Sequence, residues 1–171
     1  MKYFASSFLL AACLNACTQA VPSDVWLLHF DSAQNLYSYH NQRGEIVIPP
    51  EKYEMCLTDT FRQYAMVLLE PNGFVVIDRQ EKVQYNVFIF DNGPDYPSDG
   101  LFRIVQNGKI GYADAKTYSV VIPPQFDCAE PFENGKAKVS RNCQKTQDGE
   151  HVVWSSEQWL YIDKKGKETA Q

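Results

Sequence analysis

The sequence is poor in the features that most directly identify an activity. No apolar run reaches the roughly 20 residues needed to cross a bilayer as a helix, and the uncharged apolar or small stretch Tyr3–Ala12 falls well short. The three histidines, His29, His40 and His151, sit in three separate segments, and no SxxK, GxSxG or HExxH pattern occurs. Acyl transfer and zinc-dependent hydrolysis therefore have no recognisable starting residues. There is no CxxC and no Cys/His spacing of a zinc or redox site, so no cofactor is expected. Positive charge is also scarce, with 16 Lys and Arg against 21 Asp and Glu. That balance gives no basic footprint for nucleic acid or anionic lipid. Enzymatic activity is not expected.

The N-terminus does carry information. MKYFASSFLLAACLNACTQA has one lysine, Lys2, ahead of a short apolar segment, the arrangement of a secretory signal peptide. LNAC at 14–17 resembles the bacterial lipobox, in which small residues precede a cysteine that is lipidated and becomes the first mature residue. LAAC at 10–13 also fits, but cleavage there leaves a very short leader, so Cys17 is preferred over Cys13. A plain signal peptide cut near Ala16 or Ala20 is the alternative. This reading makes residues 1–16 a signal peptide, 17–24 a lipidated Cys and tether, and 25–171 the folded domain. Two acyl chains suffice for lasting membrane attachment without a transmembrane helix. Among the lipoproteins this end resembles, an Asp after the Cys holds the protein at the inner membrane; Thr18 here implies the outer membrane. The expected location is thus a bacterial cell envelope, facing periplasm or cell surface, and the mature chain carries a net charge near −6, from 15 basic and 21 acidic residues.

Tyr and Phe are abundant, which favours strands, and the chain repeats itself. IVIPP at 46–50 returns as VVIPP at 120–124. Around the later copy lie three strands of period two: LFRIV (101–105), IGYAD (110–114) and YSVVIPP (118–124), here called A, B and C. The same order is predicted at VWLLHF (25–30), LYSYH (36–40) and EIVIPP (45–50). It recurs at AMVLLE (65–70), FVVID (74–78) and VQYNVFIF (83–90). A fourth copy has KAKVS (136–140) and WLYID (159–163), with strand C missing or vestigial. FRQYAMVLL (61–69) has a helical apolar stripe, but its gapless match of Phe61, Met66 and Leu68 to Phe132, Ala137 and Val139 favours a strand from about Ala65. Strand B starts at Leu36, Phe74, Ile110 and Trp159 and ends at His40, Asp78, Asp114 and Asp163. A carboxylate there accepts backbone N–H bonds from the following turn. Pro49-Pro50 and Pro123-Pro124 cannot donate ladder bonds, so they are expected to stop strand C and send the chain to the next unit.

NGKIGYADAKTYSVVIPPQFDCAEPFENGKAKV (107–139) resembles the WG-repeat, or KWG-repeat, family, and WLYIDKKGK (159–167) resembles the first half of another unit. Residues 25–106 match weakly, and the Trp-Gly dipeptide is never intact. The resemblance implies an all-β fold of about four degenerate WG-type units, tandem three-stranded β-meanders stacked in a curved or solenoid-like array. It brings no catalytic residues.

Cys56, Cys128 and Cys143 remain beyond the anchor, and sequence alone leaves the pairing open. In the repeat frame Cys56 and Cys128 share the edge after strand C, which makes Cys56–Cys128 the expected pair if the array curls closed. Cys143 lies at the far end of strand A, so Cys128–Cys143 requires the insertion to fold back. Two segments break the repeat. RNCQKTQDGEHVVWSSEQ (141–158) replaces a short A–B turn and is read as an inserted hairpin whose His151, Val153 and Trp154 are candidate partner-binding residues. FDNGPDYPSDG (90–100) offers Asp91, Asp95 and Asp99, a remote candidate for a hard cation; a solvated Pro/Gly turn is the expected reading. Two functions are therefore expected in order: a scaffold or adaptor for an unidentified envelope protein, then a peptidoglycan- or glycan-binding protein using exposed aromatics.

Overall fold

The computed structural model describes residues 24–149 and 151–170. Cys17, with the proposed signal peptide and tether to Ser23, lies outside the described residues. Every regular element among those described is a β-strand, and the strands form small antiparallel sheets.

Four meanders account for most of them. The first comprises Trp26–Asp31, Leu36–His40 and Ile46–Ile48; the second Tyr64–Leu69, Gly73–Asp78 and Val83–Val87. The third comprises Leu101–Gln106, Lys109–Asp114 and Val120–Phe126, and the fourth Lys136–Ser140, Leu160–Asp163 and the two-residue Glu168–Thr169. Pairing of Val83–Val87 with Leu101–Gln106 joins the second and third, and the two-residue strand Met55–Cys56 beside Tyr64–Leu69 completes one seven-stranded sheet. Tyr64–Leu69 is a strand despite its helical apolar stripe, because both faces of its ladder partner Gly73–Asp78 are buried.

One turn recurs after all four B strands. Asp78 Oδ1 accepts from the N–H groups of Gln80 and Lys82, Asp114 Oδ1 from Lys116 and Thr117, and Asp163 Oδ1 from Lys165 and Lys167. In the first meander Asn41 Oδ1 accepts from Arg43 and Glu45. The expected place of His40 in this series is thus corrected by one residue. An amide oxygen serves as well as a carboxylate for this bond, and His40 stays on the strand. Each turn puts one residue in the left-handed region, Gly44, Glu81, Tyr118 and Gly166, and that residue donates its N–H to the carbonyl of the capping residue.

Strand C also repeats a detail. Between Tyr39/His40 and Ile48/Ile46, Val76/Ile77 and Tyr85/Val83, and Tyr112/Ala113 and Ile122/Val120, one residue is left over as a bulge: Val47, Gln84 or Val121. Beyond it the two proline pairs differ, and in the first meander strand C ends at Ile48, before Pro49-Pro50, as expected. In the third meander strand C continues through Pro123-Pro124 to Phe126, which pairs with Ile110. Three residues, Pro123 to Gln125, therefore face Gly111 alone. A Cβ on Gly111 would lie 2.4 Å from the Ile122 carbonyl oxygen and 2.6 Å from the Pro124 nitrogen, so glycine is needed there for space. Pro123-Pro124 makes a wide bulge and does not stop the strand.

Three apolar cores follow, each drawn from two successive meanders. Tyr39 and Ile48 pack with Ala65, Val67, Val75 and Ile77. Met66, Val76 and Tyr85 pack with Phe102, Ile104 and Ala113, while Tyr112, Ile122 and Phe126 pack with Ala137, Val139 and Ile162. Buried tyrosines in them satisfy their hydroxyls on backbone carbonyls: Tyr39 on Thr58, Tyr85 on Tyr118 and Tyr112 on Glu130. The ladder pairs Ala65 with Ile77 and Ala137 with Ile162, which makes those alanines equivalent and displaces the gapless match of 61–69 to 132–139 by one residue.

The disulfide joins Cys128 to Cys143, with Cα atoms 5.9 Å apart, and Cys56 is free and buried. The expected Cys56–Cys128 pair is therefore overturned. After strand C the chain turns back as Cys128–Ala129 and pairs with the end of the next A strand, so Cys128 stands opposite Ser140. Cys143 is only 143 − 140 = 3 residues further on. Cys56 occupies the position of Ala129 in the second meander's edge, paired with Val67, where burial pushes its thiol up to about 11.

Candidate functional site

The two segments that interrupt the meanders meet. Residues 144–155 form a hairpin of their own, Gln144–Asp148 with His151–Ser155. Residues 89–94 form a second small hairpin, Ile89–Phe90 with Gly93–Pro94, closed by Asp91 and Asn92, both left-handed as a tight two-residue hairpin requires. Between them opens a cleft of about 580 Å³. Phe88, Ile89, Phe90 and Asp91 line one side, Lys145, Val152 and Trp154 the other, and Arg103 and Glu130 complete it.

Arg103 is the unexpected member. It lies on strand A of the third meander among Leu101, Phe102 and Ile104, and is 3% exposed. A guanidinium in that position must be fully paired, and Asp95, itself 5% exposed, supplies the pairing. Arg103 Nη2 donates to Asp95 Oδ1 at 2.5 Å, while its Nε and backbone N–H donate to Oδ2 at 3.0 and 2.7 Å. Nη1 donates to the Ala129 carbonyl at 3.3 Å. The guanidinium carbon also sits 4.1 Å from the centre of the Phe88 ring, a cation–π contact on the face that borders the cleft. Burial pushes the Tyr112 phenol upward in pKa, and the charge of nearby Arg103 offsets this only in part.

The three aspartates of 90–100 therefore do not converge on a cation. Asp95 is spent on Arg103, Asp99 Oδ2 accepts from the Gly135 N–H at 2.7 Å, and Asp91 lies in the hairpin turn. The solvated-turn reading also fails at Asp95, whose carboxylate is buried. No group of three or more His, Cys, Asp or Glu among the described residues could hold a metal ion.

The insertion packs back onto the body. Trp154 is half-buried, edge-to-face with Phe88 at 5.9 Å, and Lys145 Nζ lies 5.9 Å from the centre of its indole. Strand alternation sends neighbours to opposite faces, so Val152 shares the cleft with Trp154 while Val153 does not. The predicted trio is thereby split: Trp154 lines the site, Val153 is exposed elsewhere, and the backbone of His151 pairs with Asp148, its side chain lying outside the description. Around the cleft Ile89, Phe90 and Val152 are 50%, 50% and 54% exposed, and nearby Tyr96 is 66% exposed. Sequence reasoning missed Arg103, and it named Asp95 only as a remote cation candidate and not as the partner of that arginine. The available signal was a lone arginine in an otherwise apolar strand preceded by an aspartate-rich loop. It also missed that His29 and His40, from different strands, stand with ring centroids 5.0 Å apart.

A model of a WG-containing repeat family matches residues 111–142. That segment runs from Gly111, beneath the proline bulge, through the Cys128–Ala129 return to strand A of the fourth meander. No curated protein and no solved structure matches the chain.

Proposed function

We propose that this chain is a non-catalytic β-repeat module of a bacterial envelope lipoprotein that binds a protein partner in the cleft between its two interrupting hairpins. In this reading the four meanders are degenerate tandem repeats of the WG type, layered so that each successive pair encloses one core. Lipidation at Cys17 tethers the array to the outer membrane. The observation that carries the reading is the convergence of both departures from the repeat on one cleft, with Ile89, Phe90 and Val152 left exposed around it. Apolar side chains flanking a half-buried tryptophan and a cation are the composition of an interface centre. The Arg103–Asp95 pair is mutually neutralised and serves as a rigid support.

A second reading keeps the site and changes the ligand. Phe90 and Tyr96 are exposed and pack edge-to-face at 6.3 Å, which suits stacking on sugar rings of a cell-wall glycan.

The test is a crosslinking pull-down in the native host with the anchored chain, a version with 141–158 replaced by Asn-Gly, and the double variant Phe90→Ser/Val152→Ser. The double variant is needed because the deletion also removes Cys143. A protein captured by the full chain and lost from both variants supports the interaction module. Capture unchanged in the double variant removes the cleft from the proposal. If no protein is captured and isolated cell-wall glycan binds the full chain but not the double variant, the second reading stands.

A further inference from the structure

The outer face of the first meander carries a pair of imidazoles that take no part in lining the cleft. His29 and Ser38 are direct cross-strand partners, and His40 follows Ser38 by two residues, so all three side chains stand on one face of one hairpin. His29 is exposed and His40 half-buried, with ring centroids 5.0 Å apart and planes inclined at 36°. Two imidazoles bound at about 2.0–2.1 Å to one tetrahedral ion place their ring centroids about 5 Å apart. The exposed His29 ring can turn to bring its nitrogen onto such an ion without moving the strand.

Ser38 makes the pair more than a coincidence of register. It is buried, and its Oγ lies 3.0 Å from His40 Nε2. If the Nε2–H donates to that hydroxyl, the lone pair is left on Nδ1 and the ring is fixed. Metal-binding histidines are ordinarily oriented in this way by a bond from the second ring nitrogen. The direct cross-strand neighbours of His40 are Leu27 and Ile46, both exposed and apolar. Neither supplies a carboxylate, so a calcium or magnesium ion finds no hard oxygen donor from them, whereas imidazole suits zinc, copper and nickel.

We infer that His29 and His40 form a two-histidine site for a borderline divalent ion of the zinc class, oriented by Ser38 and completed by water or by a donor from another molecule.

The experiment is calorimetric titration of the purified full chain, carrying no polyhistidine tag, with zinc chloride, repeated with calcium chloride. The variants are His29→Gln, His40→Gln, Ser38→Ala and, as a control outside the pair, His151→Gln. The expected result is a zinc site of one ion per chain that weakens at least about tenfold in each His29 and His40 variant. Ser38→Ala should weaken it less, within the about 10–100-fold range of an orienting partner, and His151→Gln and calcium should have no effect. Copper titrated in place of zinc should give an electron paramagnetic resonance spectrum with two nitrogen ligands. Zinc affinity unchanged in the His29→Gln/His40→Gln double variant, or lost in His151→Gln, would overturn the assignment.

Discussion

The second and third meanders share the same Asp-capped turn, the same A–B ladder and the same single-residue bulge in strand C, and then they diverge. In the second, Val75 pairs directly with Asn86 and strand C runs on without interruption. In the third, the equivalent residue is Gly111, and three residues of strand C arch over it. The two also differ one strand away. The ladder places Met66 opposite Val76 and Arg103 opposite Tyr112, so a neutral thioether in one meander is replaced by a buried ion pair in the other. The scaffold is therefore indifferent to what strand C and the following connection do, provided the residues beneath them change in step. The first meander agrees: its Pro49-Pro50 follows Ile48, and the small Ser38 holds the place of Gly111, three residues before the capping residue (41 − 3 = 38 and 114 − 3 = 111).

The largest expected effect comes from breaking the ion pair. Asp95→Ala leaves a buried guanidinium without its partner and should cost about 3–5 kcal/mol, read from urea unfolding. Giving the third meander the second's chemistry, with Arg103→Met and Asp95→Leu together, should recover most of that loss. A double variant as unstable as Asp95→Ala alone would show that the pair is needed for more than its own neutralisation.

A smaller effect tests the glycine. Gly111→Val places side-chain carbon inside the backbone of Ile122 to Pro124, and overpacking of this kind costs about 1–3 kcal/mol. Replacing Pro123-Pro124-Gln125 by a single Asn alongside Gly111→Val recreates the one-to-one pairing of the second meander. That combined variant should be more stable than Gly111→Val alone; if it is less stable, the bulge and the glycine are not coupled as described.

The smallest effect separates the turns. Asp114 accepts from the Lys116 and Thr117 amides and from the Thr117 hydroxyl at 2.9 Å, and these bonds, the Thr117 amide first, hold its carboxyl below the usual range. A lowered folded pKa contributes stability above the unfolded value of about 3.9, and that contribution is lost as pH falls through the folded value. Because the group is partly open to solvent, the amount should stay below about 1 kcal/mol. Asp114→Asn should flatten the acid limb of stability against pH slightly, making that turn resemble the one capped by Asn41. An unaltered acid limb would assign acid sensitivity to other groups.

The strands and turns were legible because each depends on a few adjacent residues. Short apolar runs such as LFRIV and FVVID, bounded by turn residues, report local geometry directly, and so does the Asp that ends IGYAD and FVVID. The single slip in the first meander arose where His40 and Asn41 stand side by side and only the hydrogen bonds distinguish them. What the sequence concealed lies between segments. Cys128 and Cys143 meet because a two-residue strand returns alongside the next A strand, a pairing too short to leave an alternating pattern. Arg103 and Asp95 find each other across a hairpin whose turn looked like an ordinary connection. His29 approaches His40 only in the register Leu27 opposite His40, which periodicity does not specify. The cleft was half visible, as two irregular segments, but not as one place.

The Cys128–Cys143 bond also decides how firmly the cleft is built. It fastens the first residue before the inserted hairpin to a fully buried cysteine of the main body, closing a loop with a sequence separation of 15. In the chain-entropy view a loop of that size is worth about 3 kcal/mol against the unfolded chain. While both thiols are reduced, the cleft wall bearing Val152 and Trp154 is held by the packing of Trp154 on Phe88 and the adjoining core and by the Ser140–Ser156 hydrogen bond. Oxidation then adds its stabilisation at the base of that wall. Reduction should therefore loosen the inserted hairpin and open the cleft wall before it disturbs the meanders, whose cores contain neither end of that hairpin's strands.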